Sequence, residues 1–124
     1  MPPEERTAAF LWDMCEACRK LQRYVGDRTY RDFSGSELLQ DAVLRTLTVL
    51  GEAAARVDAS YRDSHPEIPW KRIVGLRNVV THQYDRVNIM AIWDAATMDV
   101  AQLLPQLERM VEAAQDDDVA GEPR

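Results

Sequence analysis

At 124 residues the chain is long enough for one domain with a buried core, and 46% hydrophobic against 29% charged residues excludes a mostly disordered chain. No apolar run approaches the roughly 20 residues of a membrane span, and the first ten residues lack the pattern of a secretory signal, so we expect a cytoplasmic protein with no membrane contact. A formal charge of -6 means that the molecule as a whole repels nucleic acid, so any RNA contact requires a local basic patch.

Apolar residues recur at spacings of three and four, which predicts helices almost throughout the chain. The first helix is predicted over Pro3–Val25, because proline suits a first helical turn and Gly26 suits the left-handed position after the last one. Its core stripe comprises Leu11, Met14, Cys15, Cys18, Leu21 and Val25.

The only cysteines, Cys15 and Cys18, form a C-x-x-C pair, which raises a zinc or redox role. No second ligand pair accompanies them, and both continue the apolar stripe of the first helix. We favour two half-buried structural thiols, with a redox role as the alternative.

A linker follows the first helix, and its Tyr30 and Phe33 are expected to cover an edge of the core. Ser34-Gly-Ser-Glu37 has the S-x-x-E form of a capping box, which predicts a second helix from Ser34 to about Arg62. Gly51 lies inside it at a cost of about 1 kcal/mol relative to alanine, so we predict a close helix crossing there. The predicted buried face comprises Leu39, Val43, Leu47, Leu50, Ala54 and Val57.

The segment from His65 to Pro69 contains two prolines and is predicted to separate the second helix from a third, over about Trp70 to Tyr84. Asn88 is the predicted N-cap of a fourth helix, which Pro105 is expected to kink or divide. The buried face of the fourth helix is predicted to contain Ile92, Trp93, Met98 or Val100, Leu104, Leu107, Met110 and Val111.

Four amphipathic helices with short connections predict an all-α protein, an antiparallel up-down four-helix bundle. We assign this domain to residues 1–115. Residues 116–124 form an acidic tail, which we expect to be disordered.

The third helix is predicted to have one apolar and one polar face. At about 100° per residue, Ile73 and Leu76 fall on the apolar side, and Arg77, Asn78 and His82 fall on the polar side. The window 69–88 carries four basic residues against one acid, a net charge of +3. An arginine and a histidine on an exposed face are usually only solvated, so these residues alone do not establish a site.

Residues 67–93 resemble the signature region of the HepT-like toxins of the HEPN superfamily, whose mark is R-x-x-x-x-H followed by x-Tyr. The similarity extends over about residues 5–111. Its further matches are Leu44-Arg45, Gly51-Glu52-Ala53, Ile68-Pro69-Trp70, Gly75, Arg77-Asn78, His82-x-Tyr84 and Trp93.

The resemblance implies a homodimer in which the motifs of two chains line one cleft that cuts RNA without a metal ion or cofactor. His82 is then the proton carrier, and Arg77 holds the phosphate as charge develops on it. Asn78 either orients the histidine or binds a phosphate oxygen, or it is only a surface amide. Lys71, Arg72 and Arg86 are candidates to hold flanking phosphates, although such residues often serve only solubility.

Tyr84 is the candidate modification site. In the resembled family the partner is an MNT-type nucleotidyltransferase antitoxin, which transfers AMP from ATP to this tyrosine. An added phosphate near Arg77 would occupy its guanidinium and obstruct RNA.

Two other functions stay open from the sequence. The chain is alternatively a non-catalytic helical binding partner or substrate of a nucleotidyltransferase, which the acidic charge favours slightly. A third possibility is a generic helical dimerisation protein that carries the motif by accident.

Overall fold

The computed structural model describes residues 3–78 and 87–121, with side chains described for 5–78 and 89–114. Throughout these ranges the regular structure is helical and no strand occurs, which confirms the all-α prediction. The α-helices are α1 Pro3–Val25, α2 Tyr30–Ser34, α3 Glu37–Arg56, α4 Ala59–Ser64, α5 Trp70–Gly75, α6 Val87–Asp94 and α7 Val100–Gly121.

The long helices α1, α3 and α7 form the bundle, in which α1 packs against both of the others and α5 packs against α3. The predicted bounds of α1 are confirmed, and Gly26 after it has a positive φ of 48°. Arg19 ties α1 to α7 through Glu108, at 3.1 Å between the guanidinium and the carboxylate. The largest wholly buried side chains are Phe33, Leu11, Met14, Leu21, Leu47, Leu50 and Leu107.

The capping box predicted at Ser34 is wrong. Ser36 caps α3 instead, since its hydroxyl accepts a hydrogen bond from the backbone N–H of Leu39 at 3.1 Å. Ser34 closes the short helix α2, which has its own capping box between Thr29 and Asp32. The segment predicted as a linker therefore holds a helical turn, and this turn carries Phe33 into the core beside Trp93, at 5.2 Å between ring centroids.

The second predicted helix is also shorter than expected, because α3 ends at Arg56. Val57 has an extended backbone, with ψ of 134°, and its side chain is buried. The chain then resumes as the separate helix α4.

The fourth predicted helix contains a π-helical segment, Ala95–Asp99, between α6 and α7. Asn88 lies inside α6 and is therefore not its N-cap. Pro105 does not divide α7, which continues through it. The wider π turn shifts the register, so that Val100 is buried and Met98 is 62% exposed.

No helix within the described ranges is long and apolar enough to cross a membrane. The backbone of α7 continues past the predicted domain boundary at residue 115 to Gly121. The assignment of residues 116–124 to a disordered tail stays a prediction.

Candidate functional site

Gly51 supports the segment that carries Arg77. A Cβ built on Gly51 would lie 2.6 Å from the backbone nitrogen of Arg77 and 2.9 Å from the carbonyl oxygen of Ile73. Only a residue without a side chain permits this approach of α3 to α5, so the predicted close crossing is confirmed. The contact fixes the backbone of Arg77 against the core, while its side chain is exposed.

The helix that carries the motif changes form at this point. α5 ends at Gly75, and Leu76, Arg77 and Asn78 form a 3₁₀ turn. A 3₁₀-helix has about three residues per turn rather than about 3.6. The angular positions predicted for one regular α-helix therefore do not apply to the residues of this turn. Over the described residues the division into faces holds, because Ile73 is buried, Leu76 is half-buried, and Arg77 and Asn78 are exposed.

Three of the predicted functional residues, His82, Tyr84 and Arg86, lie outside the described residues. Their proximity to Arg77 therefore stays a prediction based on the motif.

Of the residues predicted to contact flanking phosphates, Lys71 and Arg72 are exposed on α5. Arg72 pairs with Asp99 of the π segment, at 2.7 Å between a guanidinium nitrogen and the carboxylate. An exposed pair of this kind contributes at most about 1 kcal/mol, so a phosphate can displace it at little cost. Sequence reasoning missed Asp99, because only the tertiary fold brings residue 99 to α5.

The second histidine of the chain, His65, makes contacts that stabilise the fold. Its Nδ1 lies 2.9 Å from the carbonyl oxygen of Tyr61, and the two rings stack at 4.1 Å. The carbonyl oxygen of His65 in turn accepts a hydrogen bond from the indole N–H of Trp70 at 2.9 Å. These contacts join α4 to the start of α5.

Cys15 and Cys18 are both buried and unbonded to each other. Burial raises the pKa of the Cys15 thiol to about 11 and that of the Cys18 thiol to about 12. A thiol that stays protonated is a poor nucleophile and a poor metal ligand, which favours the structural interpretation. No cluster of three or more potential metal-binding side chains occurs within the part of the chain that the structure describes.

We expect the two thiols of the folded protein to resist a thiol-specific disulfide reagent at pH 8 and to react when the chain is unfolded. Because their pKa values are raised from 9.0 on folding, unfolding releases protons above pH 9, so stability should fall as pH rises from there. Titration with the reagent, followed by absorbance in buffer and in denaturant, measures the reactivity of the thiols in the folded and the unfolded chain. Fast reaction of the folded protein would contradict the burial of these thiols.

The fold and the exposed Arg77 beside a tight helix crossing define a small all-α domain with a cationic side chain presented next to its core. A family model described as "Ribonuclease HepT-like" matches residues 14–113. The chain belongs to this family, which confirms the resemblance drawn from the motif.

Similar proteins are named as ribonucleases. "Putative RNase MJ1380" of Methanocaldococcus jannaschii is 31% identical over 100 residues, which cover 81% of this chain and 92% of that protein. "Probable ribonuclease HepT" of Thermococcus cleftensis is 28% identical over 101 residues, which cover 82% of this chain and 92% of that protein. No solved structure matches the chain.

Proposed function

We propose that this protein is the toxin of a HEPN/MNT toxin-antitoxin system, an endoribonuclease that cleaves RNA without a metal ion at a site formed by a homodimer. The observation that carries the proposal is the family match over residues 14–113, which includes Arg77 and the rest of the R-x-x-x-x-H-x-Y motif. The relatives named as ribonucleases support the reaction class.

The chemistry follows from the side chains of the motif. His82 of one copy accepts the proton of a ribose 2′-hydroxyl as that oxygen attacks the phosphorus. His82 of the other copy donates a proton to the leaving 5′-oxygen, so each proton has a carrier. Arg77 holds the phosphate oxygens with a planar, permanently charged group, and Asn78 orients the histidine or binds the phosphate.

Two copies are required by this scheme, since one motif supplies a single His82. Lys71, Arg72 and Arg86 then hold the phosphates on either side of the scissile bond. The exposure of Lys71, Arg72 and Arg77 on one short segment supports this role.

An MNT-type nucleotidyltransferase antitoxin controls the enzyme in this proposal. It transfers AMP from ATP to the hydroxyl of Tyr84 and releases pyrophosphate. The added phosphate belongs to the same motif as Arg77. It pairs with the guanidinium group of Arg77 and prevents RNA from binding.

Purified protein is expected to cleave single-stranded RNA at full rate in EDTA. The motif provides a proton carrier and a phosphate-binding cation, so no step in the scheme uses a metal ion. Gel analysis of a labelled RNA with and without EDTA measures this, and a metal-dependent nuclease run in parallel confirms that the chelator works. Loss of cleavage in EDTA with recovery on adding a divalent cation would contradict the proposal.

Incubation with the nucleotidyltransferase and ATP is expected to add the mass of AMP to the chain and to abolish RNA cleavage. Tyr84→Phe should remove the adduct, whereas Tyr30→Phe should keep it, because Tyr30 packs against Trp93 outside the motif. Intact-mass spectrometry reads the result. An unchanged mass would exclude this control mechanism.

The second candidate function is a non-catalytic binding partner or substrate of the nucleotidyltransferase. The formal charge of -6 favours it, because the overall field opposes RNA capture. An AMP adduct on Tyr84, together with no RNA cleavage by the unmodified dimer, would establish this function in place of the first.

A further inference from the structure

A cavity of about 250 Å³ lies where α5, the π segment and α7 meet. Its floor is apolar and includes Leu50, Ile73 and Leu76. Leu50 is 1% exposed and Ile73 is 4% exposed, so the floor belongs to the packed core. The volume is below the range of about 300–1,000 Å³ typical of drug-sized ligands, which suits a single small ring system.

The rim of the cavity is polar. Gln102 and Gln106 stand one helical turn apart on α7, and the Arg72–Asp99 ion pair closes another side. Each glutamine amide offers both a hydrogen-bond donor and an acceptor. The rim thus presents paired polar groups above an apolar floor.

The charge of the rim disfavours a phosphate inside the cavity. Whether Arg72 stays paired with Asp99 or binds a flanking phosphate outside the cavity, its charge is taken up, and Glu67 adds an exposed carboxylate at the edge. The formal sum of one cation and two anions is -1. A neutral, flat ligand with polar edges fits this environment, whereas an anionic group does not.

The cavity adjoins the segment that carries Arg77. Leu76 precedes Arg77 in the 3₁₀ turn, and Leu50 precedes Gly51, which contacts the backbone of Arg77. One crossing of α3 with α5 therefore forms the floor of the cavity and holds the phosphate-binding candidate. A nucleotide places its base within a few bonds of its phosphate, so both groups can be held by these two neighbouring features.

We propose that this cavity binds one nucleobase of the RNA, next to the phosphate held by Arg77, and thereby sets where the RNA is cut. The inference deepens the proposed function and rests on it. Gln102 and Gln106 read the edge of the base, and the apolar floor packs against its ring. Adenine is the expected base, since a glutamine amide pairs with its N6 and N7 together.

The first test maps cleavage of a randomised RNA in EDTA at single-nucleotide resolution. The wild type should favour adenine at one fixed position beside the cut, and the double variant Gln102→Leu/Gln106→Leu should reduce that preference by about 5- to 100-fold while RNA is still cut. Gln22→Leu, an exposed glutamine on α1, is the matched control and should keep the preference. Cleavage with no base preference in the wild type would overturn the proposal.

The second test does not depend on cleavage. Adenosine, AMP and a short non-cleavable RNA that contains adenine are titrated into protein labelled at the δ1 methyl group of each isoleucine, of which the sequence has four. The methyl signal of Ile73 should shift with the RNA, while that of Ile92 on α6 should not. An Ile73→Val variant assigns the signal.

The two tests separate the two proposals. If Ile73 responds to the RNA but no RNA is cut, the cavity binds a base and the ribonuclease function fails. If RNA is cut and Ile73 responds to none of the three ligands, the cavity proposal fails alone. Binding of AMP as tight as that of the RNA would assign the cavity to a free nucleotide and contradict its role in RNA selection.

Discussion

Gly51→Ala is expected to lower the free energy of unfolding by up to about 2 kcal/mol, because overpacking a core costs about 1–3 kcal/mol and alanine regains about 1 kcal/mol of helix propensity. The new methyl group would lie 2.6 Å from the nitrogen of Arg77 and 2.9 Å from the oxygen of Ile73. Both are backbone atoms, so a change of side-chain rotamer cannot relieve the clash. Alanine gains about 1 kcal/mol of helix propensity, and the clash has to exceed this gain.

The matched control is Gly75→Ala, at the end of α5. Among the described residues, a Cβ built there meets nothing within 4 Å, and the backbone conformation does not require glycine. This variant should be neutral or up to about 1 kcal/mol more stable. Urea denaturation followed by circular dichroism measures both, and equal stabilities for the two variants would contradict the tight crossing.

The Gly51 variant should also affect the proposed reaction. If its α3–α5 crossing opens to accept the methyl group, the backbone of Arg77 moves with it. RNA cleavage, measured well below the unfolding midpoint, should therefore fall for Gly51→Ala and not for Gly75→Ala. A fully active Gly51 variant that is also destabilised would show that the crossing supports the fold alone.

Arg77→Ala and His82→Ala are each expected to abolish toxicity and to reduce RNA cleavage by about 10²- to 10⁴-fold. General acid–base catalysis contributes effects of about this size, and removal of one charge-stabilising donor costs about 10²- to 10³-fold. Arg77→Lys should recover only part of the rate, because the ammonium group lacks the planar fork. Initial rates on a labelled RNA give the comparison.

Arg109→Ala is the control, since Arg109 is also exposed but lies on α7. It should leave the rate and the toxicity unchanged. Circular dichroism should show wild-type helical content for the Arg77 and Arg109 variants, because both arginines are exposed and their removal leaves no buried charge, and the same measurement checks the fold of His82→Ala. Undiminished toxicity of both motif variants would defeat the ribonuclease assignment.

The need for two copies can be tested by mixing the His82→Ala variant with wild-type protein so that mixed dimers form. If each site uses a histidine from both copies, mixed dimers should be inactive. An excess of the variant should then lower the measured activity below the value expected from the fraction of wild-type chains in the mixture. Light scattering establishes the oligomeric state under the assay conditions. A monomer with full activity would refute the composite site.

The sequence was sufficient for features set by local periodicity. The stripe of α1 repeats every three or four residues and stops before Gly26; the limits of the helix were predicted correctly, and every predicted stripe residue is buried except Val25, which is half-buried. Gly51 was informative because a glycine inside a helix is costly, so its presence predicts a close contact. The identity of that contact, the backbone of Arg77, is not encoded in any local pattern.

Local signals failed where several similar signals compete within a few residues. Ser34 and Ser36 are both plausible caps, and only the formation of α2 assigns Ser34 to the end of one helix and Ser36 to the start of the next. Likewise the π segment decides that Val100 rather than Met98 faces the core. These choices depend on packing against distant residues.

Periodicity and an ordered motif are properties of the chain alone, and they were enough to predict the helical class, the core stripe of α1 and the family. The tertiary structure decided the 3₁₀ turn at Arg77, the pairing of Arg72 with Asp99 and the cavity beside Leu76. The ion pair and the cavity join segments far apart in the chain, and the turn packs against Gly51 of α3. Their energies come from contacts that exist only once α3, α5 and the π segment have packed together.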